Sequence, residues 1–303
     1  MSAGKLHADE LDIDAALVRR LLAAQFTQWA ALPTERVPSG GTDNALYRLG
    51  DDLVVRLPLA EWAANGLDKE LTWLPRLAPM LPVAIPVVLG TGGPAEGYPL
   101  PWAVYRWLDG ETPTIDRIPD PGLLATDLAA FIAALQRIDP ASGPPAYRGG
   151  PLDTQDAGTR ASLDELEGVI DTDAAAAAWD QALQAPVWPG SPVWMHSDLM
   201  PGNLLVRDGR LSAVLDFSTV GVGDPACDLI VAWYLLPAPA REVFRAALGV
   251  DDATWARGRG WALSLALGAL SYYRDTNLAM VADARQAIRA VLADRLPRPP
   301  AEP

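Results

Sequence analysis

The hydrophobic rhythm of the chain changes several times, and each change predicts an element. From Leu11 to Ala31 the apolar residues Leu17, Leu21, Leu22 and Phe26 recur near the helical period, which predicts an amphipathic helix. The stretch ERVPSGGTDNALYRLGDDLVVRLP then mixes glycines and turn residues with two short runs that read as strands. Trp62 to Leu77 returns to helix. Val87 to Gly90 and Trp102 to Leu108 read as further strands, separated by the turn-rich TGGPAEGYP. From Pro121 onward helical patterns dominate, apart from two strand-like pieces that bracket a tight turn at Asp208-Gly209. No internal repeat is evident. The pattern predicts an α+β chain: a small mixed part over 1–108, with its leading helix, and a larger helical part over 109–303.

Composition narrows the class. A chain of 303 residues, 50% hydrophobic and 20% charged, is long enough for two lobes with a sizeable core. One cysteine, Cys227, leaves no internal disulfide framework and no cysteine metal cage. The first residues, MSAGKLHADELDID, lack the apolar core of a signal peptide, and no apolar run is long enough to span a bilayer. The expectation is a cytoplasmic enzyme without a membrane partner. A net charge of −14 disfavours nucleic acid as a partner. It would concentrate a cationic small substrate, although solubility alone accounts for many acidic surfaces.

The chemistry is concentrated in Met195 to Leu229, MHSDLMPGNLLVRDGRLSAVLDFSTVGVGDPACDL. His196, Asp198, Asn203 and Asp216 stand there at spacings that fit movement of a phosphoryl group from a metal-bound nucleotide to an alcohol. That reaction needs a hydroxyl held in line with the terminal phosphate and cations to offset phosphate charge. Asp198 is placed to accept the hydroxyl proton. Asn203 offers an amide oxygen and Asp216 a carboxylate, hard donors suited to Mg2+, which shares few protein ligands with substrate phosphates. A lone Asp or Asn in a loop is ordinarily a turn or cap residue. The ordered set carries the reading.

HSDLMPGNLL resembles the catalytic loop of the aminoglycoside phosphotransferase family, antibiotic kinases related to choline kinases and distantly to protein kinases. LDFSTVGVGDPACDL continues the resemblance through that family's metal-binding segment and the helix after it. The resemblance implies a bilobal protein-kinase-like fold, with a small mixed β-sheet N-lobe and a larger mainly helical C-lobe. It implies Asp198 as catalytic aspartate, Asn203 and Asp216 as metal ligands, His196 as the structural residue opening the loop, and Asp228 as a brace of its backbone. Ser197 stands where the family usually has glycine, and Ser218 where protein kinases have the glycine of Asp-Phe-Gly.

The same resemblance implies a nucleotide site for ATP or GTP. SGGTDNALYRL looks like the nucleotide-positioning loop, with Gly40, Gly41 and Thr42 at its turn; a plain hairpin loop is the alternative. Arg56 occupies the position of the strand lysine that contacts phosphates in kinases, and Glu70 matches its acidic partner. Lys69 is the rival cation, and a surface acid on an amphipathic helix is the rival reading of Glu70. WAVYRWLDGE resembles the hinge between lobes, so Arg106, Trp107 and Leu108 are candidates for the base-binding stretch. Trp107 is either a hydrophobic plug or a stacking surface. Leu205 and Leu215 either line the base pocket or fill core. The acceptor site is the least legible part: Asp251 to Asp275, Asp275 above all, and Asp153 to Asp164 are candidates, while Trp233, Trp255 and Trp261 read as packing. The implied acceptor is a small hydroxylated molecule, an aminoglycoside-like antibiotic first. A macrolide, choline, a sugar or an amino alcohol are alternatives, and so is a nucleotide-binding module without catalysis.

Overall fold

The computed structural model describes residues 10–38 and 43–294. They form an α+β fold of two compact units: Met1–Glu111 with Ser212–Ser218, and Thr112–Leu211 with Thr219–Pro303.

The first unit is a five-stranded antiparallel sheet covered by helices. Helix α1 (Ala15–Gln25) is capped by Asp14, whose carboxylate accepts from the Leu17 amide at 2.7 Å. The helix is shorter than the apolar pattern extends, and Phe26 to Leu32 continue as turns. Strands β1 (Thr34–Arg36), β2 (Asn44–Leu49) and β3 (Leu53–Pro58) precede helices α2 (Glu61–Ala64) and α3 (Gly66–Leu77). The helix expected over Trp62 to Leu77 is thus broken at Asn65. Strands β4 (Val88–Gly92) and β5 (Trp102–Arg106) complete the sheet in the order β1-β2-β3-β5-β4. Strand β5 stops two residues before the expected Leu108, where its partner β3 begins: Arg106 lies opposite Leu53, and one further in-register bond, from the Trp107 amide to the Asp52 carbonyl at 2.7 Å, ends the pairing.

Alternation along β2 and β3 sends Ala45, Tyr47, Leu49, Leu53, Val55 and Leu57 into one core with Leu17, Val18, Leu21 and Leu22 of α1. Arg56 falls on the opposite phase and leaves that core for the other face of the sheet. The distant segment Ser212–Ser218 joins this unit through a ladder around Ala84, whose amide donates to the Ser212 carbonyl (3.2 Å) and whose carbonyl accepts from the Val214 amide (3.0 Å).

The second unit is mainly helical. It contains α4 (Pro121–Gln136), α5 (Asp156–Glu165) and α6 (Thr172–Leu183), then the short strands β6 (Val193–Met195) and β7 (Leu204–Arg207). Strand β8 (Arg210–Val214) carries the chain into the first unit, and β9 (Gly221–Gly223) follows on the return. Helices α7 (Val231–Leu235), α8 (Ala238–Leu248), α9 (Asp252–Tyr273) and α10 (Leu278–Ala293) finish the chain. Strands β6 and β9 pair antiparallel. Asp208 and Gly209 both have positive φ (52° and 76°), as expected of the turn read there.

Helix α9 is the hub of this unit. Its glycines permit contact: a Cβ on Gly258 would meet the Leu229 Cβ at 2.7 Å, and one on Gly260 the Leu152 side chain at 2.6 Å. Trp233, Trp255 and Trp261 are buried, and the rings of Trp233 and Trp255 lie 4.6 Å apart. No helix among the described residues is long and apolar enough to cross a membrane.

Candidate active site

In the helical unit, the short strand β6 ends at Met195 and delivers His196 to Asn203 as a loop. Its first backbone amides are held by one acid. Asp228, fully buried, accepts from the His196 amide at 2.8 Å and the Ser197 amide at 2.7 Å. Two parallel N–H groups directed at a carboxylate fix the plane of the loop. The Thr219 hydroxyl donates to the His196 carbonyl at 2.9 Å, and the Ser197 hydroxyl to the Thr219 carbonyl at 2.9 Å. Ser197 has φ +63°, which explains why glycine suits this position and how serine is retained: two hydrogen bonds offset the strained backbone. His196 is buried, and its Nδ1 accepts from the Asp198 amide at 3.3 Å.

Asp198 and Asn203 meet directly. The Asn203 amide nitrogen donates to the Asp198 carboxylate Oδ2 and to its backbone carbonyl, both at 2.9 Å. With its nitrogen so engaged, the amide oxygen of Asn203 is directed away from Asp198. The second carboxylate oxygen of Asp198 accepts from Arg148 Nη1 at 2.8 Å. Sequence reasoning missed Arg148, which lies fifty residues before Asp198 and outside the motif.

Burial pushes the Asp228 carboxyl up to about 6, against the lowering effect of His196 and the two backbone amides. An acid raised in the folded state binds more protons there than unfolded. Its stabilising contribution is therefore complete below about pH 4 and lost as pH rises through about 6. We expect the stability difference between the native protein and Asp228→Asn to shrink by about 3 kcal/mol between pH 3 and pH 7, since one pKa unit corresponds to about 1.4 kcal/mol. Paired urea titrations at both pH values measure it; a pH-independent difference would contradict the burial argument.

In the sheet unit, Arg56 and Glu70 form a buried pair, with Arg56 Nη1 at 2.8 and 3.0 Å from the two Glu70 oxygens. Tyr105, not anticipated from sequence, donates its hydroxyl to Glu70 at 2.6 Å. The Phe217 amide donates to the other Glu70 oxygen at 3.1 Å. Asp216 lies 3.6 Å from Arg56 Nη2, has φ +57°, and accepts from the Ser218 hydroxyl at 2.7 Å. Burial opposes the Arg56 charge, but Glu70, Asp216 and Tyr105 outweigh it and hold its pKa above the usual arginine value. Burial lowers that of Lys69, and Glu70 pairs with Arg56 rather than with this rival. Gly66 admits the segment: a Cβ there would stand 2.4 Å from the Ser218 Cβ.

Gly40, Gly41 and Thr42 lie outside the described residues. Arg106 is exposed at the end of β5, and Leu108 is half-buried. Trp107 has the Arg48 guanidinium 3.8 Å above its ring and donates to Asp109 at 3.0 Å. Leu205 and Leu215 are half-buried, in the helical and the sheet unit respectively. Several of the acids considered for the acceptor site have structural roles: Asp251 caps α9 through the Thr254 amide, and Asp156 accepts from the Trp179 indole at 2.7 Å. Asp275 is exposed beside Arg274. Among the described residues no three His, Cys, Asp or Glu side chains cluster as a metal cage. Asn203 in the helical unit and Asp216 in the sheet unit each carry a hard oxygen donor.

A family model described as the phosphotransferase enzyme family matches residues 34–261. No curated protein matches the chain significantly. Among solved structures, the GDP and kanamycin complex of APH(2")-IIia is 20% identical with a TM-score of 0.74, covering 91% of this chain and 98% of that one. The gentamicin complex of APH(2")-IIa is 17% identical with a TM-score of 0.63, covering 92% and 98%. The apoenzyme of macrolide 2'-phosphotransferase MphH from Brachybacterium faecium is 24% identical with a TM-score of 0.60, covering 96% and 99%.

Proposed function

Because the chain belongs to the phosphotransferase enzyme family, we propose that it transfers the terminal phosphate of ATP or GTP to a hydroxyl of an aminoglycoside-like antibiotic. The observation that carries this reading is Asp198 on a loop braced by Asp228, with its carboxylate hydrogen-bonded to Asn203. Asp198 takes the proton of the attacking hydroxyl. Arg56, held by Glu70, forks onto phosphate oxygens. Asn203 and Asp216 are the residues that would offer oxygen to Mg2+, which would offset phosphate charge. The backbone of Arg106 to Leu108 takes the base edge, Leu205 and Leu215 are each assigned to the base, and Gly40, Gly41 and Thr42 to the phosphates. The protein works in the cytoplasm.

The aminoglycoside reading draws on matched structures that hold kanamycin and gentamicin, and the acidic charge of the chain favours a cationic acceptor. A macrolide is the second reading, supported by the match to a macrolide 2'-phosphotransferase. Choline, sugars and amino alcohols complete the panel. The test is nucleotide consumption with ATP and with GTP against that panel, with products weighed by mass spectrometry. A single phosphate added to an aminoglycoside is expected. Phosphate on a macrolide alone would transfer the assignment to the second reading. A thermal shift with magnesium nucleotide but no turnover across the panel would mean a binding module without catalysis.

A further inference from the structure

We propose that Arg148 is a positioning residue for phosphoryl transfer, holding the proton-accepting carboxylate of Asp198 in a fixed orientation. The inference rests on the phosphotransferase reading of Asp198. An aspartate carboxylate turns readily about its last side-chain bond. Here both oxygens are held: Oδ2 by the Asn203 amide at 2.9 Å, and Oδ1 by Arg148 Nη1 at 2.8 Å. The same Arg148 nitrogen donates to the Ser197 carbonyl at 3.1 Å, so it ties side chain and loop backbone together.

An ion pair at the surface is usually worth little, because two long side chains must be ordered to make it. Arg148 differs, because its backbone is already fixed. The segment from Pro144 to Gly149 is laced onto Thr219 to Asp224 by four backbone hydrogen bonds. The amides of Ala146 and Tyr147 donate to the carbonyls of Val222 and Thr219 (both 3.1 Å). Those of Val222 and Asp224 donate to Pro144 (2.8 Å) and Gly149 (3.1 Å). Glycines make the approach possible. A Cβ on Gly221 would stand 2.5 Å from the Ala146 nitrogen, and one on Gly223 would stand 2.4 Å from the Gly149 Cα. The Tyr147 ring lies beneath the guanidinium at 5.0 Å. The strap delivers the Arg148 backbone beside Asp198 already ordered by backbone pairing, so that only the side chain remains to be fixed.

The experiment compares the native protein with Arg148→Ala and Arg148→Lys on whichever acceptor the native protein phosphorylates. Arg148→Ala is expected to lower kcat by about 10²-fold, the size of loss that a small misplacement of a reacting group produces. The nucleotide KM and the melting temperature should stay unchanged. Added guanidinium at sub-denaturing concentration should restore part of the activity, and Arg148→Lys should keep more than Arg148→Ala. A purely structural role predicts no rescue and a lowered melting temperature. Native or raised kcat in Arg148→Ala overturns the proposal, the raised value meaning that Arg148 shields the base. A second readout needs no turnover: slowed rotation of the Arg148 guanidinium in nitrogen-15 NMR, lost in Asp198→Ala. If no acceptor is phosphorylated, the phosphotransferase reading fails while this readout still tests the hold. Equal rotation in both proteins overturns the hold itself.

Discussion

Asp198→Ala should lower kcat by about 10²–10⁴-fold, the usual contribution of a positioned general base. Nucleotide affinity should be retained, because the pair of Arg56 and Glu70, to which the proposed function assigns the phosphates, makes its contacts without Asp198. Asp198 is about a quarter exposed at its side chain, so removing it leaves Arg148 able to reach water and costs little stability. Loss of turnover in a variant that melts like the native protein would therefore report on chemistry. Steady-state kinetics, nucleotide titration and a melting curve on one preparation make the measurement. Full activity in the variant would remove Asp198 from its role and, with it, the purpose assigned to Arg148.

Arg257→Ala should destabilise the protein by about 3–5 kcal/mol, the cost of breaking a buried pair and leaving one charge behind. Arg257 and Asp224 are almost wholly buried and joined at 2.7 and 3.2 Å. Arg257 also donates to the Pro186 carbonyl at 2.7 Å. The Asp224 carboxylate in turn accepts from the Ala226 amide and starts the helical turn Pro225–Ile230 that carries Asp228. The loss should therefore reach the loop that Asp228 braces. Urea denaturation measures the effect, and the double variant Asp224→Leu with Arg257→Leu should be less destabilised than Arg257→Leu plus Asp224→Leu added together. A loss below about 1 kcal/mol, the value of an exposed pair, would show that the pair is not desolvated as its burial implies.

Local patterns in the chain were sufficient to single out the loop from His196 to Asn203. His196 to Asn203 and Asp228 act on one another across short separations or through a motif of fixed order, and the structure places Asp228 under the loop amides. Element type was legible for the same reason, since alternation in β2 and β3 and the apolar stripe of α1 are consequences of period. Boundaries were less so. Strand β5 ended early because its partner β3 begins only at Leu53, opposite Arg106, and no propensity within β5 encodes where a partner strand starts.

By itself the amino-acid order determined the α+β class, the motif-bearing segment and the oxygen-bearing side chains available for phosphate chemistry, because these depend on residue type and on spacings of a few residues. Tertiary structure alone decided that Arg148 would reach Asp198, that Tyr105 would join Arg56 and Glu70, and that Ser212–Ser218 would pack with the sheet. Those choices hang on backbone approach between distant segments, permitted by the missing side chains of Gly66, Gly221 and Gly223. A glycine reads in one dimension as flexibility. Only packed against its neighbour does it read as space.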